Sequence, residues 1–574
     1  MARRTVLALL AVAACARARS TDPSLEVPEA PAPAARVASN ILRADYAGSS
    51  VCADCHADIH AVWTQSPMHR MTRVARDRSI EAPFDGATLQ VGADTATMET
   101  RGGKRYVTVE AAAQGRRVYR VTKVIGGRYR EDYVGVDVTD ADDPARAWNV
   151  ERVLPVSFVF SNRAWRYKGY SVMVRERPGL LVRVAWSRTC IGCHNTLPAI
   201  TMFYDDLAGP DAPAYQGRTS ELLPPSRAWR LEPLDQRALV TAIADEVVRI
   251  GGKALDVEQP LSTFLRQAIG ETRTHFGGAD LIEVGIGCEA CHGGAAEHVA
   301  DPEVLPSFEL RSSLVRAVPP TRDVSPAQWV NRACLRCHTV LFTEYPWTWE
   351  GGRRDDAQPG GSTTNSGEAR DFNLGGCATQ LSCVACHDPH GEDRPEALAA
   401  LATMDGNAVC TTCHAALASA SGLRAHTHHA PGEGSACLGC HMPKKNMGLG
   451  YDLVRYHRIG APTDTNRVQA DRPLECALCH RDKTVAELAG TMERWWGKRY
   501  DRAELIALYG DLDANVIGAT LARGKPHEQA VAIGVLGERG GPGDIAALVP
   551  FLEHEYPLVR YYAARALERL GGPP

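Results

Sequence analysis

The pattern Cys-x-x-Cys-His occurs eight times in this 574-residue chain, and no other feature constrains the fold as strongly. From the composition, about 0.02 matches are expected by chance. Two thiols three positions apart can each form a thioether with a porphyrin vinyl group, and the histidine after them can bind the iron. Numbered 1 to 8 along the chain, the motifs are Cys52/Cys55/His56, Cys190/Cys193/His194, Cys288/Cys291/His292, Cys334/Cys337/His338, Cys383/Cys386/His387, Cys410/Cys413/His414, Cys437/Cys440/His441 and Cys476/Cys479/His480.

Two other uses of paired cysteines fit the sequence less well. Structural zinc sites use Cys-x-x-Cys pairs, but they do not require a histidine directly after the second cysteine. Eight disulfides within such short rings would constrain little of the chain. The sequence therefore predicts eight haem c groups, each with iron bound by the motif histidine on its proximal side.

Composition agrees with a protein whose interior is built partly from porphyrin. Aromatic residues make up only 6% of the chain although 44% is hydrophobic, and flat porphyrin faces would supply the missing apolar surface. The formal net charge of −4 excludes a strongly basic nucleic-acid-binding protein. The length is sufficient for two to four domains.

The N-terminus has the features of an export signal. Arg3 and Arg4 precede a short apolar run that ends in Val-Ala-Ala-Cys at Cys15, a pattern similar to bacterial lipoprotein signals. We expect lipidation of Cys15, and the alternative is an ordinary secretory signal cleaved nearby. Both predict an exported protein of the periplasm or the outer cell surface, and the first adds a lipid anchor in the membrane.

The rest of the chain divides by its periodicity. Alternating residues from Ala87 to Val138 predict strands, and two similar stretches at 526–541 and 557–572 resemble short HEAT-like helical repeats that could bind a protein partner. We expect a mainly α multihaem cytochrome c fold with little regular structure around packed haems, plus a small β insert. The predicted segments are a lipoprotein-type signal (1–15), a flexible tether (16–44), motifs 1 and 2 with the β module at about 80–175 (45–200), motifs 3 to 8 (201–485) and HEAT-like repeats (486–574).

Several histidines outside the motifs are spaced to bind the distal side of a neighbouring haem iron. His69 ends a W-x-x-S-x-x-H pattern after motif 1, His298 follows motif 3 by six residues, and His390 follows motif 5 by three. Cys377 lies outside every motif and is interpreted as a buried thiol, with a reactive group as the alternative. The candidate distal ligands are His69, His298, His390, His428, His429 and His457.

These motifs, with GCEACHGG, LSCVACHDPHG, CLGCHMPK and YHRIGAP, resemble a family of exported multihaem cytochromes. That family is related to the tetrahaem partner of hydroxylamine oxidoreductase and, more loosely, to the octahaem oxidoreductases. The resemblance covers roughly residues 46 to 485 and implies packed haems with a second histidine on most irons. It implies His298, His390, His428 or His429, and His457 as the best distal ligands. The Cys-x-x-Cys-Lys active site of octahaem nitrite reductases is absent.

Two functions remain open from the sequence. The first is electron transfer through closely spaced haems to other redox proteins of the cell envelope. The second is reduction of a small nitrogen or sulfur compound at one five-coordinate haem. About seven usable distal histidines for eight irons leave one iron open or bound by methionine, for which Met68 and Met71 are candidates. We expect electron transfer, since no catalytic residue is recognisable.

Overall fold

The computed structural model describes most of the chain after the predicted signal. The described residues are 35–76, 79–139, 150–168, 179–208, 213–214, 217–218, 223–339, 347, 349–350, 367–391, 393–448 and 451–572. Cys15, the signal and most of the predicted tether lie outside them. Within the described residues, no helix is both long and apolar enough to cross a membrane.

Strands occur mainly before motif 2. They are β1 Thr72–Val74, β2 Asp85–Val91, β3 Asp94–Arg101, β4 Lys104–Ala111, β5 Gly115–Gly126, β6 Arg130–Asp137, β7 Arg152–Val159, β8 Ala164–Tyr167, β9 Pro213–Ala214, β10 Gly217–Arg218, β11 Arg230–Pro233, β12 Val315–Val318, β13 Lys444–Met447 and β14 Leu453–Arg455.

Helices make up most of the remainder. They are α1 Ser49–Cys52, α2 Ala57–Trp63, α3 Ile191–His194, α4 Tyr204–Ala208, α5 Gln236–Arg249, α6 Leu261–His275, α7 Cys288–His292, α8 Ala296–Ala300, α9 Pro326–Leu335, α10 Glu368–Leu374, α11 Pro395–Leu401, α12 Asn407–Thr411, α13 Ala420–Thr427, α14 Cys437–His441, α15 Thr465–Ala470, α16 Val485–Trp496, α17 Arg502–Tyr509, α18 Val516–Arg523, α19 Pro526–Arg539, α20 Ile545–Leu548 and α21 Pro557–Arg569.

The prediction of a small β insert is wrong. Strands β2 to β8 pair antiparallel in chain order and β1 pairs with β5, which makes an eight-stranded sheet. Its two end strands, β2 and β8, lie close to each other, so the sheet is nearly closed. The mainly α fold class therefore has to be corrected to one with a large antiparallel sheet at its N-terminal end.

Alternating side chains give this sheet a core of its own. Met98 on β3 and Val107 on β4 are fully buried. Phe84 packs edge-on against Tyr133 and Trp165, with both ring-centre distances at 5.2 Å. Aromatic packing of this kind contributes to an apolar core formed by the side chains of the sheet. Within 87–138 the alternation is clearest at 105–111, 116–125 and 128–138, where the structure has β4, β5 and β6. It is weaker at β2, whose side chains alternate only between exposed and half-buried.

A helical layer follows motif 2. Helix α5 begins at Asp235, whose carboxylate accepts a hydrogen bond from the Ala238 amide, and α5 packs on α6. Leu239, Ile243 and Phe264 are fully buried between these helices. Residues 35–44, assigned above to the tether, belong to this folded part, because the Ile41 side chain joins the same apolar cluster.

The C-terminal helices share a core with the motif 7 and 8 region. Helices α19 and α21 lie so close that a side chain at Gly537 would meet Ala566 at 2.8 Å. Leu453 of β14 packs on α19 at Gly534, and a single apolar cluster runs from Met447 to Leu567. Residue 485 is therefore not a boundary between two cores, and a HEAT-like character of this part stays a prediction.

Candidate haem attachment sites

Each Cys-x-x-Cys-His motif folds as one helical turn. In motifs 1, 2, 4, 5, 6 and 8 the histidine amide donates to the carbonyl of the first cysteine at 2.9–3.2 Å. Motifs 3 and 7 coincide with α7 and α14. A helical turn brings residues i and i+3 to the same side, so both thiols of a motif can reach one porphyrin edge with the histidine beside them.

The described cysteines, which include all sixteen of the motifs, are free thiols. Since none is paired, the disulfide alternative finds no bridge there. Among the described residues, no three side chains of histidine, cysteine, aspartate or glutamate converge as a metal ion would require. The zinc alternative therefore finds no site in that part of the chain.

The protein does not enclose every predicted attachment cysteine. Cys55 of motif 1, Cys413 of motif 6 and Cys479 of motif 8 are exposed, whereas the first cysteines of the same motifs, Cys52, Cys410 and Cys476, are half-buried. The physical reason is their position, because each exposed thiol lies in a turn that follows a short helical segment. Haem attachment through these three cysteines stays a prediction, and it would leave part of the porphyrin edge facing solvent.

Cys377, the described cysteine outside the motifs, is half-buried rather than fully buried. Burial raises the pKa of its thiol, and the nearby Cys413 thiol acts in the same direction. A raised pKa lowers the thiolate fraction, so these surroundings do not favour the alternative of a reactive group.

Five motif histidines face a second histidine ring. Two imidazoles on opposite sides of one iron have ring centres about 6 Å apart, because each Fe–N bond is about 2 Å and the ring centre lies about 1 Å behind its nitrogen. All five ring-centre distances fall between 5.9 and 6.3 Å, so these residues fit a haem iron between them. The pairs are His56–His298, His292–His390, His387–His457, His441–His426 and His480–His429.

Hydrogen bonds fix how several of these rings are oriented. When Nδ1 of a histidine donates to a carbonyl or carboxylate oxygen, Nε2 is left free to bind a metal. Six histidines hold Nδ1 in this way at 2.6–3.3 Å. The contacts are His298 to Val304, His338 to Glu368, His387 to Asp393, His429 to Thr427, His441 to Gly460 and His457 to Arg455.

The structure separates the six candidate distal ligands into two groups. Four of them, His298, His390, His429 and His457, lie opposite a motif histidine, and iron binding by them stays a prediction. The other two pack on tryptophans: His69 lies 4.1 Å from the Trp63 ring and His428 lies 5.0 Å from the Trp495 ring.

His426 is a residue that sequence reasoning did not select. It lies on α13 and faces His441, whereas His429 faces His480. His428 ends α13 with a left-handed backbone, φ +57°, which reverses the chain between these two histidines. The sequence HTHH contains no signal for this turn, since its position depends on where α13 ends.

Motifs 2, 4 and 6 differ from the other five in what lies opposite the motif histidine. All nineteen histidines of the chain lie within the described residues, and there the rings of His194, His338 and His414 face no second histidine. Burial lowers the pKa of His194 to about 4. Burial acts in the same direction on His338, but the hydrogen bond and the charge of Glu368, with the nearby Cys337 and Cys334, together outweigh it and raise the pKa of His338 to about 9.

Of the two candidate methionines, Met71 lies near one of these motifs. It packs against the apolar cluster that contains Cys190 and Ile191 of motif 2. The neighbouring Thr72 hydroxyl donates to the His194 carbonyl at 2.9 Å. Met71 is therefore placed beside motif 2.

Neighbouring motifs touch through their cysteines. Four pairs of thiols lie within interaction distance, and they join motif 1 to 3, motif 2 to 4, motif 4 to 5 and motif 6 to 7. Thiols of motifs 3 and 4, of motifs 5 and 6, and of motifs 7 and 8 are near enough to influence each other electrostatically, without a hydrogen bond between them. The eight attachment sites thus form one continuous set in which motif 4 has three neighbours.

Comparison with known proteins gives one family match and two similar proteins. The doubled CXXCH motif family matches residues 376–419, which contain motifs 5 and 6. Over 124 residues, 21% of this chain, the sequence is 36% identical to the phycocyanobilin lyase subunit alpha of Picosynechococcus sp. (strain ATCC 27264 / PCC 7002 / PR-6). The match spans 45% of that relative, which is less than half its length.

Among solved structures, the outer cell wall cytochrome OcwA is similar at 14% identity, over 92% of this chain and all of that chain. The TM-score of 0.35 is too low for that likeness to support a shared fold. The doubled motif at 376–419 and the eight Cys-x-x-Cys-His turns support haem c binding at several sites of this chain.

Proposed function

We propose that the chain carries electrons through eight covalently bound haems c in the cell envelope. The observation that supports this most directly is the set of five facing histidine pairs with ring centres 5.9–6.3 Å apart. Haem c supplies one-electron chemistry at its iron. Two rigidly held histidines on an iron keep its surroundings similar in both oxidation states, which favours rapid electron transfer.

The contacts between motifs support a continuous route for electrons. Motifs 3 to 8 are neighbours in chain order, and motifs 1 and 2 join them at motifs 3 and 4. Haems attached to neighbouring motifs would have their edges close together. The route has ends at motifs 1, 2 and 8, where redox partners could give or take electrons.

A second candidate is reduction of a small nitrogen or sulfur compound. The specific observation in its favour is that His194, His338 and His414 face no histidine among the described residues. Three irons without a facing histidine are more than the one iron that the count of usable distal histidines predicts. Such a haem could bind a ligand from solution, and the other haems would feed it electrons.

The cellular context belongs to the same proposal. Export with a lipid anchor at Cys15 would place the haems outside the cytoplasm, where their partners would be other envelope redox proteins. The C-terminal helices from α16 to α21 could bind such a partner.

The experiment compares two neighbouring histidines in the haem-loaded protein. His426→Ala should convert one haem from low-spin to high-spin, because His426 lies opposite His441. His428→Ala is the matched control and should leave the spin states unchanged, because His428 lies against Trp495. Spin states are measured by electron paramagnetic resonance of the oxidised protein, after mass spectrometry has counted the haems.

The outcomes separate the two functions. Fewer than eight haems by mass would contradict the proposed count. A high-spin signal in the parent protein that cyanide or nitrite removes, with turnover of nitrite or another oxyanion, would favour the reductase. No change on His426→Ala, or an equal change on His428→Ala, would contradict the assignment of His426.

A further inference from the structure

Three motifs share a polar residue that sequence reasoning did not single out. It stands three positions before the first cysteine and is Ser49 in motif 1, Asn331 in motif 4 and Asn407 in motif 6. All three side chains are at least nine-tenths buried. Each lies on the same helix as the cysteine that follows it, in α1, α9 and α12.

Each of these side chains binds the backbone of a different motif. The Ser49 hydroxyl accepts from the Cys288 amide of motif 3 at 2.9 Å. Asn331 Oδ1 accepts from the Cys383 amide of motif 5 at 3.0 Å, and Asn407 Oδ1 accepts from the Cys437 amide of motif 7 at 2.8 Å. The acceptor comes from the −3 position every time, and the donor is always the first cysteine of the other motif.

The two asparagines repeat a second bond as well. Asn331 Nδ2 donates to the Leu381 carbonyl at 3.0 Å, and Asn407 Nδ2 donates to the Ser435 carbonyl at 2.9 Å. Both carbonyls stand two residues before the cysteine whose amide is bound. Each asparagine side chain thus binds one N–H and one C=O of the same short backbone segment. The two bonds together fix the position and the direction of that segment.

The bound amides are ones that a helix cannot satisfy by itself. Cys288, Cys383 and Cys437 are the first residues of their helical turns, where the backbone N–H has no partner within the helix. The preceding residues Gly287, Ser382 and Ala436 make no side-chain cap. The cap is supplied instead by the neighbouring motif, so the turn of one attachment site is completed only when the other lies beside it.

We propose that Ser49, Asn331 and Asn407 are positioning residues that join the attachment sites in the pairs 1 and 3, 4 and 5, and 6 and 7. They would set the separation and orientation of the two haems in each pair, and so their mutual influence on potential. The equivalent residues of motifs 2 and 8 are Ser187 and Pro473, and no such bond is formed by them in the described structure. The inference rests on haem attachment at these motifs.

Asn407→Ala in the haem-loaded protein tests the inference. Loss of the cap should speed deuterium exchange of the Cys437 amide roughly tenfold. The midpoint potentials of two haems should shift while those of the other six stay unchanged. Asn407→Asp keeps an oxygen acceptor for the Cys437 amide and should restore the protection of that amide. Asn373→Ala is the matched control, since Asn373 Nδ2 donates only to Ala369 of its own helix α10.

The result can fail in distinguishable ways. If mass spectrometry finds no haem on motifs 6 and 7 of the parent protein, the proposed function fails and not only this inference. If the haems are present but neither Cys437 exchange nor any potential changes, the positioning role is wrong. A uniform shift of all eight potentials, or an equal effect of Asn373→Ala, would also overturn it.

Discussion

The eight-stranded sheet and the C-terminal helices have cores of packed apolar side chains. Among its described residues, the motif segment from 376 to 446 has no such core. Helix α19 buries eleven of its 14 residues, among them Val531 and Ile533. Helices α11 and α14 bury none of theirs, and α12 buries only Asn407. The four apolar clusters of the described chain contain no residue from 376 to 446.

The difference shows what holds each region together. Burial of apolar side chains stabilises the sheet and the C-terminal helices by about 25 cal/mol per Å². The motif segment instead has facing histidines and free thiols. The ring centres of its facing histidines are about as far apart as those of two histidines that bind one iron. We expect the porphyrins to form the core of this segment, in which case its folding depends on their attachment.

The largest effect that could break this comparison comes from removing the haems. In a chain produced without haem attachment, we expect proteases to cut within 376–446 first, since few apolar contacts protect it. Fragments containing β2 to β8 and α16 to α21 should persist. Limited proteolysis followed by mass spectrometry of the fragments measures this, with the haem-loaded protein as the control. Equal cutting throughout the chain would mean that the sheet and helices also need the haems.

A core substitution should separate the regions by several kcal/mol. Leu558→Ala on α21 removes a fully buried side chain and should lower the free energy of unfolding by about 2–5 kcal/mol. Leu398→Ala on α11 removes a half-buried side chain and should cost less than about 1 kcal/mol. Thermal unfolding of the haem-loaded variants checks both. A loss at Leu398 as large as at Leu558 would show a side-chain core in the motif segment.

The smallest expected effect concerns an ion pair that joins the two regions. Arg539 on α19 pairs with Glu433, which stands just before motif 7. Because both side chains are more than a third exposed, water and salt screen the pair, and Arg539→Ala should cost about 0–1 kcal/mol. Lys483→Ala, whose pairs with Asp482 and Glu487 lie at the start of α16, is the matched control in thermal unfolding. A loss of about 2 kcal/mol or more at Arg539 alone would mean that the C-terminal helices hold the motif segment in place.

Sequence spacing selected histidines that face a motif histidine only where they follow a motif closely or stand alone, and iron binding by them stays a prediction. His298 and His390 come within six residues of a motif, and each faces a motif histidine. In the cluster at 426–429, spacing could not distinguish the members, because the left-handed turn at His428 decides which ring points to which motif. His69 fitted its spacing pattern but packs on Trp63.

The spacing of residues in the motifs also could not predict which attachment thiols are exposed. All eight motifs have the same pattern, yet Cys190 is buried while Cys55, Cys413 and Cys479 are exposed. The difference depends on what packs beside each helical turn. Cys190 belongs to an apolar cluster with Trp186 and Phe276, whereas the three exposed thiols lie outside the four apolar clusters of the described chain.

The sequence by itself predicted the chemistry of this protein. Covalent attachment of haem needs two thiols and a histidine within five residues, and such a local pattern can be recognised without knowing the fold. The extent of the sheet, the shared core of the C-terminal helices and the pairing of motifs were decided only by the tertiary structure. Each of these depends on residues far apart in the chain, such as Asn331 and Cys383. Contacts of that kind depend on how the helices and strands pack, and they cannot be predicted from the spacing of residues within one segment.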